Sequence, residues 1–319
     1  VTTTDPGPTR TFAGVFDAVC ANVGRVIRGK DDVVRLTVTC LVAHGHLLIE
    51  DVPGVGKTSL AKALARSVQA RFGRVQFTPD LLPSDVLGSS VWNRQTSAFE
   101  FRPGPVFANL LLGDEINRAS PKTQSALLEA MAEEQVTVDG ATYPLARPFM
   151  VIATQNPLEH QGTYPLPESQ LDRFLMRLSI GYPSRDDELS ILREEDHDAL
   201  LESLGPVTTA AEVVAMAAHA QRVHVAPALA SYLVDLAERS RSSGLFALGM
   251  SPRASLGLLR AARVWAAAEG RNFVSPDDVK RLAVPVLAHR VVLAPDAQLR
   301  GVLPADAITE LLASTPVPR

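Results

Sequence analysis

A short apolar run, "HLLIE" at residues 46–50, passes directly into "DVPGVGKTSL" (51–60), and that into a segment whose Leu60, Leu64 and Val68 recur every four residues. The run has the length and composition of a buried strand, and the repeat is that of a helix with one apolar stripe. A strand that ends in a glycine-rich loop with Gly-Lys-Thr and continues as a helix is the setting of a phosphate-binding loop. Backbone N–H groups of such a loop, backed by the positive end of the helix, form a nest for anions. Gly54 and Gly56 let the main chain come close, while Pro53, Val55 and Ser59 fill out the loop. Lys57 is placed to reach the β- and γ-phosphates, and Thr58 to offer its hydroxyl to Mg2+. One position departs from the usual GxxxxGK[ST] spacing, because the first glycine is Asp51. Aspartate tolerates left-handed backbone better than most residues, so the loop is expected to close. Its charge is expected to oppose phosphate, so that Asp51→Gly would bind ATP equally or more tightly.

Further short apolar runs follow at 74–78 ("RVQFT"), 109–113 ("NLLLG"), 149–154 ("FMVIAT") and 174–180 ("FLMRLSI"), separated by helical spacing. Strands alternating with helices predict an α/β fold around a parallel sheet. Two stretches break the rhythm: "SVWNRQTSAFEF" (90–101), and "VTVDGATYPL" (136–145), centred on Asp139-Gly140. Both predict β-hairpins inserted into the core. Trp92, Phe99 and Phe101 are expected to pack the first hairpin against the core, with the gripping of a partner as the alternative. After "GYPSRDD" (181–187) no strand pattern remains, and "SPRASLGLLRAARVWAAA" and "SPDDVKRLAVPVLA" each open with a Ser N-cap followed by Pro. The expected organisation is a mobile leader over 1–12, an α/β nucleotide-binding core over 13–183 and an all-helical lid over 184–319, with Trp265 in the lid core.

The run "NLLLGDE" ends in two adjacent carboxylates, Asp114 and Glu115. Beside a phosphate loop, a second strand ending this way supplies a carboxylate for Mg2+ and one to orient the attacking water. Asp114 takes the first role and Glu115 the second.

Bulk properties remove several classes. Among 319 residues, net charge −4 gives no general attraction to nucleic acid. No apolar run reaches the roughly 18 residues of a membrane span. Cys20 and Cys40 lack partners at metal-finger spacing, so both are expected as helix-packing residues in a reduced, cytoplasmic setting. No NKxD motif for guanine is present.

The stretches "LIEDVPGVGKTSLAKALA", "VQFTPDLLPSDVLG", "GDEINRASPKTQSALLEAMAEEQVTVDG", "VIATQNPLEHQGTYPLPESQLDRFLMRL" and "GMSPRAS" occur in this order. Together they resemble the MoxR-type AAA+ ATPases over residues 15–295. The resemblance implies an AAA+ core with two inserted hairpins and a helical lid, binding ATP with Mg2+. It implies Asn156 as sensor 1 at the end of a strand beside the phosphate-loop strand. Arg173 is implied as an arginine finger presented to the next subunit's nucleotide, and Arg253 as sensor 2, reaching the γ-phosphate from the lid. Val26–Gly29, with Ile27 and Gly29, is the implied adenine-side wall, and Arg118 and Arg177 are candidates at the subunit interface. Arg253 falls at the second position of a predicted helix, where a cation is disfavoured and a phosphate partner would account for it. The family further implies a hexameric homo-oligomer, a von Willebrand A domain partner and chaperone-like remodelling of a client protein. A nucleic-acid motor or a metal-chelatase motor subunit are the alternatives.

Overall fold

The computed structural model of the chain describes residues 11–157, 162–193 and 197–317. Residues 1–10 of the expected leader lie outside the described residues, as do residues 158–161 within one of the motifs. The Thr11 hydroxyl accepts from the Gly14 N–H at 3.1 Å and caps helix α1 (Phe12–Gly24).

Five strands, β1 (Leu47–Glu50), β2 (Phe72–Gln76), β5 (Leu110–Asp114), β8 (Met150–Gln155) and β9 (Met176–Leu178), make a parallel sheet in the order β2-β5-β8-β1-β9. Both faces are covered, which is why the strands read as unbroken apolar runs. Alternation still sorts the side chains: Leu47, Ile49, Leu110 and Leu112 join one apolar cluster, while Leu48, Leu111 and Val151 join the other. The first cluster includes helices α1, α2 (Asp31–Val42) and α3 (Lys57–Ser67). The second includes α4 (Pro83–Leu87) and α5 (Pro121–Glu133). Leu60 and Leu64 on α3 are fully buried, and each contributes about 1.5–3 kcal/mol by leaving water. Cys20 and Cys40 sit on α1 and α2 as packing residues, and burial pushes the Cys20 thiol up to about 12.

The inserts form as antiparallel hairpins, β3 (Gly88–Asn93) with β4 (Ala98–Pro103), and β6 (Gln135–Val138) with β7 (Ala141–Pro144). Asp139 and Gly140 both take positive φ, the tight turn that their sequence called for. Phe101 stacks on Tyr143 at 4.0 Å and joins the two hairpins. Trp92 and Phe99 pack edge-on against each other at 5.2 Å and stay exposed, so this pair does not reach the core as expected.

From residue 184 the chain is mostly helical: α6 (Glu168–Leu171) precedes this part, which holds α7 (Arg185–Arg193), α8 (His197–Ser203), α9 (Ala210–Ala220), α10 (Pro227–Ser242), α11 (Pro252–Ala268), α12 (Pro276–Leu287), α13 (Pro295–Leu299) and α14 (Pro304–Ser314). The expected caps are formed, with Ser251 accepting from Ala254 N–H and Ser275 from Asp278 N–H. The sequence pattern missed one short antiparallel pair, β10 (Phe246–Leu248) with β11 (Val292–Leu293), whose strands are too brief to show alternation. Trp265 is buried as lid core, flanked by the Arg35 and Arg281 guanidiniums. No helix among the described residues is long and apolar enough to cross a membrane.

His46 fixes the entry to β1. Its Nδ1 accepts from the Val151 N–H at 3.0 Å, so the ring proton sits on Nε2, which donates to the Met131 carbonyl at 3.0 Å. Burial lowers its pKa from 6.5 to about 4. Between those values the unfolded chain takes up the proton and the fold does not, so stability is complete above the upper value and falls as pH drops towards the lower. At pH 5 this ring costs the fold about 2 kcal/mol. Urea unfolding of wild type should therefore weaken from pH 7 to pH 5, and His46→Gln should lose about 2 kcal/mol less over that interval; identical losses would rule the ring out as the source.

Candidate functional site

A cavity of about 510 Å³ opens at the C-terminal edge of the sheet. The loop residues Gly54 to Ser59 form its floor, Val26, Ile27, Arg28 and Lys30 one wall, and Ile180, Gly181 and Pro183 the other, with Asp114 at the base. Gly56 caps α3 with φ 92°, a left-handed conformation that costs an L side chain about 1–2 kcal/mol. The helix N-terminus therefore points its free N–H groups into the space. Lys57 Nζ donates to the Asp51 carbonyl at 2.7 Å, and burial lowers its pKa. Two residues expected here do not line the cavity, Pro53 and Gly29. Gly29 serves packing: a Cβ there would fall 2.0 Å from an Asp187 carboxylate oxygen.

Asp114 and Glu115 stand where the sequence put them, at the end of β5. The Thr154 hydroxyl on the adjacent β8 fixes both, accepting from the Glu115 N–H at 2.9 Å and donating to Asp114 Oδ1 at 3.3 Å. Glu115 is left-handed at φ 57° and ψ 50°, which turns its side chain away from the strand's alternation. Its carboxylate accepts from Gln76 Nε2 and from Arg118 Nη1, each at 3.0 Å. Arg74 Nε donates to Asp114 Oδ2 at 2.8 Å. Asn156, buried, follows the last residue of β8, between the ends of β5 and β1 as expected.

Arg74, Gln76 and Thr154 were missed in the sequence. Arg74 and Gln76 alternate on β2, and Gln76 is in register with Asp114, so a polar pair inside an apolar strand was the available signal. Arg118, a candidate for the interface, pairs with Glu115 of its own chain, and Arg177 pairs with Glu50 at 3.1 Å.

The remaining two arginines lie elsewhere. Arg173 and Arg253 line a second cavity together with Arg260, Arg290, Asp172 and His44. His44 and His46 precede β1 and Asp172 precedes β9, which puts this cavity at the N-terminal edge of the sheet. Arg253 thus does not reach the phosphate loop of its own chain. At the start of α11 its guanidinium lies 3.8 Å from the Asp172 carboxylate. Arg173 Nη1 donates to the Leu128 carbonyl. Arg290, buried, donates to the Phe174 carbonyl at 2.7 Å, and burial lowers its pKa to about 10, which leaves it charged at neutral pH.

Comparison with known proteins agrees with this geometry. The family described as "ATPase family associated with various cellular activities (AAA)" matches residues 46–176, and the AAA lid domain family matches residues 238–311. Chaperone MoxR1 of Mycobacterium tuberculosis is 40% identical over 93% of this chain and 81% of its own length. Protein MoxR of Paracoccus denitrificans is 33% identical over 93% and 95%. The chain belongs to the MoxR family of AAA+ ATPases. The uncharacterized protein YeaC of Bacillus subtilis is 48% identical over 93% of each chain. The crystal structure of "a putative ATPase" from Cytophaga hutchinsonii superposes with a TM-score of 0.89 at 35% identity, covering 97% of this chain and 96% of that one. The protein is an ATPase.

Replacing Arg74 by Ala leaves the Asp114 carboxylate, 7% exposed, with the Thr154 hydroxyl but without its ion-pair partner. Nucleotide-free Arg74→Ala should lose about 1 kcal/mol of stability, the arginine being half exposed. Adding Mg2+ with ADP should then raise its melting temperature by more than in wild type, since the cation no longer competes with an arginine. An equal or smaller rise would argue against Asp114 as the metal ligand.

Proposed function

We propose that the chain hydrolyses Mg2+-bound ATP at a seam between two copies of itself and uses the cycle to remodel a client protein. The observation that carries this reading is the separation of the two cavities by the length of the sheet. The phosphate loop, Asp114, Glu115 and Asn156 converge at one edge, while Arg173 and Arg253 face solvent-accessible space at the other. Four-residue β1 alone spans roughly 13 Å at about 3.3 Å per residue. A nucleotide cradled by one copy would meet the arginines of its neighbour.

In this arrangement the loop N–H groups and Lys57 bind the phosphates, and Ile27 and its neighbours cover the base. Glu115 orients and polarises the attacking water, with the Asn156 amide holding it or the γ-phosphate. Arg173 and Arg253 of the adjoining copy neutralise charge developing in the transition state. The donor set suits Mg2+. No cluster of three or more His, Cys, Asp or Glu exists among the described residues, and Mg2+ takes one or two protein ligands and completes its shell from phosphate and water. Thr58 and Asp114 would be those ligands, and the ion would supply charge neutralisation at the phosphates.

Seams of this head-to-tail kind close into rings, six copies being the number the family resemblance implies. A von Willebrand A domain partner and a client protein would complete the system, and the relative named Chaperone MoxR1 supports a chaperone role. Two unpaired cysteines suit a reducing, cytoplasmic setting.

Glu115→Gln should bind ATP and reduce turnover by about 10²–10⁴. Arg173→Ala should reduce it by about 10³–10⁵. Mixing the two inactive variants tests the seam. A copy with Arg173→Ala keeps its own Glu115 and borrows Arg173 from a Glu115→Gln neighbour, so roughly one seam in four regains activity on random mixing. No recovery in the mixture, with both variants still assembling, would reject action between copies.

A further inference from the structure

Asp51, the residue at the first glycine position of the phosphate loop, is not in left-handed backbone and is nearly buried, at 7% exposure. Its carboxylate is fully engaged. Oδ2 accepts from the Ser179 hydroxyl at 3.0 Å, the Ile180 N–H at 2.5 Å and the Gly181 N–H at 2.8 Å, while Oδ1 accepts from the Val52 N–H at 3.1 Å. Two successive main-chain N–H groups aimed at one oxygen form an anion nest, and Asp51 fills it. Ile180 and Gly181 are also walls of the nucleotide cavity, just ahead of α7. On the far side of the same segment, Lys30 Nζ donates to the Tyr182 carbonyl at 2.8 Å. The residue's main chain is used as well, since its carbonyl holds Lys57.

We propose that Asp51 is a positioning residue for nucleotide binding: its carboxylate clamps the Ser179–Gly181 segment to the phosphate loop, so that loop and cavity wall are held as one unit. This rests on the reading of the cavity as the ATP site. The charge does not repel phosphate as the loop pattern alone implies, because four donors surround it and its oxygens point away from the nest of the loop into that of the linker. Restoring glycine would therefore release the wall. Phosphate would draw Lys57 from the Asp51 carbonyl while the carboxylate keeps its hold, so the lysine moves and the frame stays.

The test uses the full chain with Asp51→Gly, Asp51→Asn and Ser179→Ala, titrated with a fluorescent ADP analogue, alongside hydrogen exchange of the 180 and 181 amides without nucleotide. Asp51→Gly should bind roughly tenfold more weakly and exchange those amides faster. Asp51→Asn, which keeps one acceptor oxygen, should fall between it and wild type. KM for ATP should rise while kcat at saturation stays within about threefold, and Ser179→Ala should weaken binding in wild type but not in the Asp51→Gly background. Should Asp51→Gly fail to fold, Asp51→Asn and Ser179→Ala carry the same comparison. Affinity equal to or tighter than wild type in Asp51→Gly overturns the proposal, as does faster amide exchange with unchanged affinity. A wild-type chain that takes up no adenine nucleotide would instead remove the ATP-site reading, and the proposal with it, whatever the exchange arm shows.

Discussion

Parallel pairing of β5, β8 and β1 is the constraint on which the site depends. The strands are far apart in sequence, and their ladder sets Leu111 against Val151, Leu112 against Ile152 and Ile152 against Leu47. That register carries Thr154 to the end of β5, where one hydroxyl holds the Glu115 amide and an Asp114 oxygen together. A slip of one residue would turn Thr154 to the other face, leaving the Glu115 N–H without its acceptor. Burial of alternate side chains in two separate apolar clusters makes such a slip expensive. The chemistry at the edge is thus held by packing in the middle.

The opposite edge shows the same economy with opposite charge. Four arginines share a cavity with Asp172, which lies within 3.8 Å of Arg253 and 3.5 Å of Arg290. His289 and Arg290, following the last helix turn of α12, both converge on the Phe174 carbonyl, at 2.9 Å and 2.7 Å. Phe174 is the residue after Arg173. The lid and the arginine-bearing turn are therefore joined within one chain by buried bonds, which are worth more than exposed ones because their loss strands polar groups out of water.

What the sequence disclosed was whatever is local. The loop, the α3 stripe, the Asp139-Gly140 turn, the Ser-Pro helix starts and the Asp114-Glu115 pair are each written within about a dozen residues, and each formed. Contacts across long separations were hidden. Arg74 and Gln76 acquire meaning only once β2 lies beside β5. Arg253 comes within 3.8 Å of Asp172 only because the lid docks on the core, a contact that its place in the helix does not disclose. Asp51 was read as a flawed glycine because its partners lie 128 to 130 residues further on.

Each charged group at the nucleotide edge has a partner already: Lys57 the Asp51 carbonyl, Asp114 the Arg74 guanidinium, Glu115 both Gln76 and Arg118. Ligand binding there is an exchange of partners, and its free energy is a difference between two paired states rather than the sum of new contacts. The exchange matters most at Glu115. Gln76 and Arg118 both donate to its Oε2, which leaves Oε1 as the oxygen able to orient a water. Gln76 ends β2 at the rim of the sheet, and Arg118 precedes α5, so both bear on surfaces a neighbour or client could touch.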